Sequence, residues 1–99
     1  MLIHSVFFWL KTELSAEQRA SFVEGLESLG GIEALSGFYV GKPAATAKRP
    51  MIDDSYDYAI TCLLPDVAAH DAYQVHALHQ AFLVNHREKW SRVQIYDAR

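Results

Sequence analysis

The sequence predicts an α+β fold in which two helices cover one face of a four-stranded antiparallel sheet. Three observations support this prediction. Short segments rich in β-branched and aromatic residues are typical of strands. A segment with a capping box and an apolar stripe is typical of a surface helix. The chain has 99 residues, of which 51% are hydrophobic, so it suffices for one domain, which we expect to span residues 1–99.

The first elements are a strand and a helix. Residues 2–10 are almost entirely apolar and short enough to favour a strand. Ser15 and Gln18 form a capping box, and the helix that follows is expected to cover residues 16–29. Gly25 lies on the buried side of this helix, where a missing side chain either permits a close approach or leaves space. Gly30 and Gly31 are expected to end the helix by adopting positive φ.

The rest of the chain predicts three strands and a second helical stretch. The strands are expected at residues 35–41, 56–64 and 93–97. Asp66 is a suitable N-cap for a helical stretch that reaches about Trp90, and the sequence leaves open whether this stretch is broken near His76. The resulting order is βαββαβ, the plan of a ferredoxin-like domain.

The first strand is apolar on both of its faces. Alternate side chains point to opposite faces of a strand. His4, Val6, Phe8 and Leu10 therefore share one face, and Ile3, Ser5, Phe7 and Trp9 share the other. Both helices cover the same face, so we expect a second copy of the chain to cover the other face in a homodimer. The alternative is that the long loop at residues 42–54, a candidate lid or dimer arm, folds over it.

Charge and cysteine content exclude several classes of partner. The formal net charge is −3, with no basic stripe, so we expect neither nucleic acid nor a membrane surface as a partner. The one cysteine, Cys62, cannot form an internal disulfide. With no secretory signal pattern at the N-terminus, we expect a cytoplasmic protein. Glycine fingerprints for phosphates or dinucleotides and a nucleophilic-serine elbow are also missing from the sequence.

Five histidines are the residues most suited to chemistry. In one interpretation, His76 and His79 share a helical face and bind a metal with His4 or Asp97 as a third ligand. This spacing is weak evidence, and we expect no metal or other cofactor. In the other interpretation, a neutral histidine and a tyrosine, from the set His4, Tyr73 and His79, remove a proton next to a carbonyl. The structural alternative is that His4 bonds a backbone carbonyl and Tyr73 only fills the core.

Several segments together resemble a known family. They are His4 followed by Phe7-Phe8-Trp9-Leu10-Lys11, Val40-Gly41-Lys42-Pro43, Tyr56-Asp57-Tyr58, the run Tyr73-Gln74-Val75-His76-Ala77-Leu78-His79, and Trp90 before Val93–Asp97. In this order, over nearly the whole chain, they resemble the stress-responsive A/B barrel (Dabb) family. The resemblance implies a ferredoxin-like subunit whose sheet pairs with that of a second subunit in a dimeric α+β barrel.

The resemblance also implies a candidate site. Plant polyketide cyclases of this family close a linear substrate by aldol chemistry without metal or organic cofactor. By motif position, His79 corresponds to their base, Tyr73 to the residue that holds the carbonyl, and His4 to a histidine in the pocket. The pocket positions correspond to Val6, Phe8, Phe22, Val23, Leu26, Ile60 and Phe82. The family pattern has a proline where this chain has Ala77, so here the helix is free to continue past His76.

These observations favour a dimer that binds a small organic molecule in an apolar pocket. As an enzyme it would act without a cofactor next to a carbonyl, in an aldol cyclisation or an isomerisation, with His79 as base, Tyr73 as donor and His4 as orienting group. The alternatives are a non-catalytic, stress-associated ligand-binding dimer and a cofactor-independent monooxygenase. The sequence does not specify the ligand.

Overall fold

The sheet of the computed structural model, which describes residues 1–99, has four antiparallel strands. They are β1 (Leu2–Leu10), β2 (Gly37–Gly41), β3 (Tyr58–Leu64) and β4 (Trp90–Ala98). The strands lie in the order β2-β3-β1-β4, which makes β1 a central strand. Its neighbours, β3 and β4, are both antiparallel to it. The predicted ferredoxin-like fold is therefore confirmed.

Three helices pack on one face of this sheet. They are α1 (Ala16–Ser28), α2 (Val67–Val75) and α3 (Ala77–His86). Phe22 and Leu26 of α1, Tyr73 of α2 and Phe82 of α3 join the inward side chains of the strands in one hydrophobic core. The predicted capping box is present, because Ser15 Oγ accepts from Gln18 N–H and the Gln18 side chain accepts from Ser15 N–H. None of the helices is long and apolar enough to cross a membrane.

The end of α1 differs from the expectation. No glycine in the chain has positive φ, so the expected role of Gly30 and Gly31 is wrong. The helix instead tightens into one 3₁₀ turn over Leu29–Gly31, and Ile32 N–H donates to the Leu29 carbonyl at 3.2 Å. A Cβ on Gly30 would lie 2.9 Å from the Phe38 ring. Glycine is needed at residue 30 because an aromatic ring approaches the backbone closely.

Two strand boundaries differ from the expected ones for similar local reasons. β2 begins at Gly37 instead of residue 35, because Leu35 N–H donates to the Ile32 carbonyl and forms a turn. β3 begins at Tyr58 instead of residue 56, because the Asp57 carboxylate accepts from Leu10 N–H at 2.7 Å and interrupts regular pairing. β4 is longer than expected and covers Trp90–Ala98.

The second helical stretch is broken at His76, the point that the sequence left open. His76 has φ −62° and ψ 146°, which are extended values, and it ends α2 and caps α3. Its Nδ1 accepts from Leu78 N–H at 3.0 Å, and its Nε2 pairs with the Glu33 carboxylate at 3.0 Å. A side chain acting as N-cap satisfies a backbone donor that the helix leaves free. The helix therefore does not continue past His76, although Ala77 stands where the family pattern has a proline.

The face of the sheet opposite the helices is apolar and only partly covered; we call it the outer face. Tyr56, which follows the long loop, packs edge-to-face on Phe7 with ring centroids 5.0 Å apart. Trp9 Nε1–H donates to Ser55 Oγ, and the Arg92 guanidinium lies 4.1 Å from the Trp9 ring. Further along the strands, Ile3, Tyr39 and Tyr96 are exposed. The end of the loop thus covers one part of the outer face and leaves the rest in solvent.

Candidate functional site

A cavity of about 210 Å³ lies between the sheet and helices α2 and α3. Its lining is mainly apolar, and His4, Tyr73 and His79 lie in the same wall. Three elements bring these residues together, since His4 belongs to β1, Tyr73 to α2 and His79 to α3. Small-molecule sites commonly combine an apolar cavity with a few polar groups of this kind.

The structure places the predicted pocket residues in two groups. Val6, Phe8, Ile60 and Phe82 line the cavity. Phe22 and Leu26 are fully buried in the core, and Val23 is half-buried on α1. These three residues of α1 do not line the cavity. α1 packs over the sheet beside the cavity, so its apolar stripe fills core instead of enclosing the site.

His79 carries an imidazole nitrogen without a protein partner. Its Nδ1 atom is buried and makes no hydrogen bond, although nearly all buried polar atoms in proteins have a partner. The ring meets Tyr73 edge-to-face, with centroids 5.1 Å apart. Burial, and then the proximity of His4 and His70, lowers the pKa of His79 from its usual value of 6.5. The imidazole is therefore neutral near pH 7 and can accept a proton.

Tyr73 is 1% exposed, and its hydroxyl accepts a hydrogen bond from the Cys62 thiol at 3.6 Å. Burial, followed by the Cys62 thiol, raises the pKa of Tyr73 well above its usual value. Burial also raises the pKa of Cys62 to about 11. Both groups therefore stay protonated near neutral pH. The phenol O–H is a neutral donor, of the type that holds a carbonyl oxygen.

His4 is held by a carboxylate and not by the backbone carbonyl of the structural alternative. His4 and Asp97 are directly paired across β1 and β4, so their side chains share the helix-covered face. His4 Nδ1 donates to Asp97 Oδ1 at 2.5 Å. His4 is 2% exposed, and with the proton on Nδ1 its Nε2 is left as an acceptor. Its ring centroid lies 5.7 Å from that of Tyr73.

The histidine pair considered for a metal does not form a ligand set. His76 uses both ring nitrogens in bonds to Leu78 and Glu33, whereas His79 faces the cavity. The three residues that do bring possible metal ligands together are His4, His70 and Asp97. Sequence spacing did not reveal this group, because it is formed by three separate elements.

The sequence interpretation missed part of the cavity wall. The wall also contains Leu29, Gln74, Leu83, Trp90, Val93 and Ile95. Two of these residues could have been found from the last strand. Val93 and Ile95 alternate with Asp97, so all three side chains point to the same face of the sheet. Detecting them required the register that pairs Val6 with Ile95 and His4 with Asp97.

Solved structures with this fold cover almost the whole chain. A Dabb family protein from Mesorhizobium loti has a TM-score of 0.78 at 23% identity, covering 99% of this chain and 94% of its own. A dimeric ferredoxin-like protein of unknown function from Thermobifida fusca has a TM-score of 0.78 at 20% identity, with 98% and 88% covered. A hydroxynitrile lyase from Passiflora edulis has a TM-score of 0.79 at 17% identity, with 98% and 90% covered. At sequence identities this low, the structural similarity shows a shared fold and nothing about activity.

The comparison with protein families identifies the family of the chain. No curated protein sequence matches the chain. The model of the stress responsive A/B barrel domain matches residues 2–99, in agreement with the motifs quoted above. The chain therefore belongs to the stress responsive A/B barrel domain (Dabb) family.

Proposed function

We propose that the protein binds a small, mainly apolar carbonyl compound in the cavity and removes a proton from the carbon next to the carbonyl. The observation that carries this proposal is the convergence of His4, Tyr73 and His79 on one apolar cavity. A buried imidazole nitrogen without a partner and a protonated phenol beside it match the base and the donor that this chemistry needs.

The roles of the three residues follow from their surroundings. The C–H proton passes to the neutral His79 imidazole, and the electron pair moves to the carbonyl oxygen as an enolate. The Tyr73 hydroxyl donates a hydrogen bond to that oxygen, whose negative charge grows in the transition state. His4, fixed by Asp97, orients the ligand through Nε2. The enolate then attacks a second carbonyl, as in an aldol cyclisation, and the alkoxide that forms takes the proton back from His79. In an isomerisation the enolate is conjugated with a double bond, and His79 returns the proton to the far carbon.

The similarity to a hydroxynitrile lyase is compatible with this class of reaction. Cleavage of a hydroxynitrile also moves the hydroxyl proton to a base while the bond to the nitrile carbon breaks, the carbonyl forms, and cyanide leaves and takes up the proton. It needs a neutral acceptor beside a polar donor. The cavity of this chain offers both groups within an apolar wall. We therefore extend the proposal to carbonyl acid–base chemistry and leave the identity of the natural substrate to experiment.

Deuterium exchange tests the proton-transfer step without knowledge of that substrate. Acetophenone is incubated in D₂O with protein treated with EDTA, and loss of its methyl proton signal is followed by NMR. We expect the wild-type protein to accelerate the exchange and H79A to be slower by about 10²–10⁴-fold, the usual contribution of a positioned base. Y73F is expected to lose part of the acceleration because the donor to the enolate oxygen is missing.

The matched control is H76N, which removes a histidine outside the cavity and keeps a side chain suited to an N-cap. It should exchange as fast as the wild-type protein. Equal rates for wild type and H79A would exclude His79 as the base. Chemical-shift changes at the cavity residues without exchange would support the alternative function, a non-catalytic ligand-binding protein.

We further propose that the protein works as a homodimer through the outer face, in the cytoplasm. The exposed Ile3, Tyr39 and Tyr96 extend the aromatic cluster around Phe7. A second copy of the same sheet would remove this surface from water, and burial of apolar area is the main driving force for association. Solved structures described as dimeric share the fold, which supports a dimer here.

A further inference from the structure

We propose that His4, His70 and Asp97 form a binding site for a first-row transition-metal dication such as Zn²⁺ at the rim of the cavity. One possible ligand atom of each residue lies within 4.8 Å of those of the other two. Imidazole nitrogen and carboxylate oxygen are ligands that Zn²⁺ prefers. This site differs from the His76 and His79 pair that the sequence spacing offered.

Of two measured distances between possible ligand atoms, one is shorter and one is longer than the distance between two ligands of a bound zinc ion. His4 Nδ1 lies 2.5 Å from Asp97 Oδ1, and His70 Nε2 lies 4.0 Å from Asp97 Oδ2. Two ligands of one tetrahedral zinc ion lie about 3.3 Å apart, given metal–ligand bonds near 2.0–2.2 Å. The rings of His4 and His70 meet edge-to-face with centroids 5.1 Å apart. Binding of an ion therefore requires rotations of Asp97 and His70, whose side chains are 44% and 19% exposed.

Two neighbours already hold His70 in the tautomer that a metal requires. The Asp71 carboxylate lies 3.1 Å from His70 Nδ1 and accepts its proton in a hydrogen bond. The Gln74 side-chain amide lies 3.4 Å from His70 Nε2, on the side where the nitrogen carries its lone pair. A carboxylate bonded to the second nitrogen of a ligating histidine is the usual outer support of zinc sites. His70 Nε2 is thus the ring nitrogen that keeps a lone pair for an ion, and Asp97 Oδ2 lies 4.0 Å from it.

The ligands carry negative charge that suits a dication, and they leave one coordination position vacant. Two neutral imidazoles and one carboxylate bind the dication, and Asp71 supplies a second negative charge nearby. Three protein ligands leave one position for water or for a ligand that enters the cavity. Coordination through His4 Nδ1 moves the imidazole proton to Nε2, which changes His4 from an acceptor into a donor toward the cavity. His4 and Asp97 also serve the proposed proton transfer, whereas His70 and Asp71 have no role in it, so variants of His70 and Asp71 test the metal site separately.

Zinc titration of the purified chain, cleaved of any histidine tag and treated with EDTA, tests the site. Isothermal titration with ZnCl₂ at micromolar protein should show one ion per chain. H70A and D97N should each bind at least about tenfold more weakly, and D71N about 10–100-fold more weakly through loss of outer support. Co²⁺ in place of Zn²⁺ should give visible absorption typical of a low-coordinate site, and H70A should abolish it.

H76N is the matched control, because His76 is also a half-buried histidine that pairs with a carboxylate. It should bind zinc as the wild-type protein does. His70 lies on α2 with 19% of its side chain exposed, so the circular dichroism spectrum of H70A is compared with that of the wild-type protein, and an unchanged spectrum makes its loss of binding specific. Absence of zinc binding by the wild-type chain, or binding by H70A and D97N with wild-type affinity, would overturn the proposal.

Discussion

Gly25 lies where the structure has no room for a side chain. A Cβ at this position would lie 2.4 Å from His86 Nε2. The His86 ring is buried, packs against Phe82 with ring centroids 5.3 Å apart, and its Nδ1 accepts from the Lys89 ammonium group at 2.9 Å. The sequence placed Gly25 on the buried side of α1 and left open whether it allowed a close approach. The structure shows that it does.

We expect Gly25→Ala to destabilise the protein, although alanine is normally the better helix residue by about 1 kcal/mol. Overpacking against a held ring costs about 1–3 kcal/mol, so the net loss should be on the order of 1 kcal/mol. Urea denaturation measures it. In the background of His86→Ala the clash is gone, and Gly25→Ala should then stabilise. The same sign in both backgrounds would show that His86 is not the cause.

The pairing of His4 with Asp97 shows how far residue types alone predict a site. The sequence identified His4, Tyr73 and His79 as candidates, and the structure places all three in one cavity wall. It did not identify Asp97 as the partner of His4, because the two residues are 93 positions apart and their contact depends on the register of β1 and β4. Patterns within one segment cannot determine such a register.

At the scale of elements, the break at His76 sets the direction of α3 and hence the place of His79. His76 is extended, and its side chain caps the new helix. Ala77 is therefore the first residue of α3, a position where the backbone N–H has no partner within the helix and proline is favoured. The extended conformation of His76 is also the one that a following proline requires.

Ala77→Pro is accordingly expected to stabilise the protein by about 0.4–1 kcal/mol, because it restricts the unfolded chain at a compatible position. The matched control is Ala81→Pro in the middle of α3, which should cost about 3 kcal/mol or more through a lost hydrogen bond and a steric clash. Thermal denaturation compares both variants with the wild-type chain. Destabilisation by Ala77→Pro would mean that α3 does not begin at this residue.

Most elements could be predicted from the sequence, and their errors have local causes. β1, α1 and β3 have strong patterns, and their expected bounds differ from the observed ones by no more than two residues. The errors at Gly30, Leu35 and Asp57 each come from a single contact at the end of an element, to Phe38, Ile32 and Leu10 respectively. The continuation past His76 was undecided because the cap depends on a histidine side chain, which is an uncommon N-cap.

At the scale of the whole molecule, the apolar outer face is the feature that the single chain leaves unexplained. Phe7 lies at its centre between Tyr56 and Tyr96. The end of the long loop covers Phe7 and Trp9 only in part, and Tyr96 remains 62% exposed. The alternative of a covering loop thus applies to one part of the face, and the remaining part is the surface that the proposed second copy would cover.

Phe7→Glu is expected to convert the proposed dimer into a monomer, because a carboxylate without a partner is too costly to bury in an interface. Sedimentation velocity at micromolar concentration measures the change. Val84→Glu on α3 is the matched control, since Val84 is exposed and lies on the helical side, and this variant should remain dimeric. A monomeric wild-type protein, or a dimeric Phe7→Glu variant, would exclude the outer face as the interface.

The role of His79 as the base is tested most directly by its pKa, measured by NMR titration of its ring signals. H79Q identifies these signals. The proposed proton transfer requires a neutral base held in an apolar cavity, and burial there disfavours the imidazolium form. We therefore expect a midpoint below 6.5 that changes when acetophenone is added. A midpoint at or above 6.5, unchanged by the ketone, would contradict the role of His79 as the base and leave it as a packed structural residue.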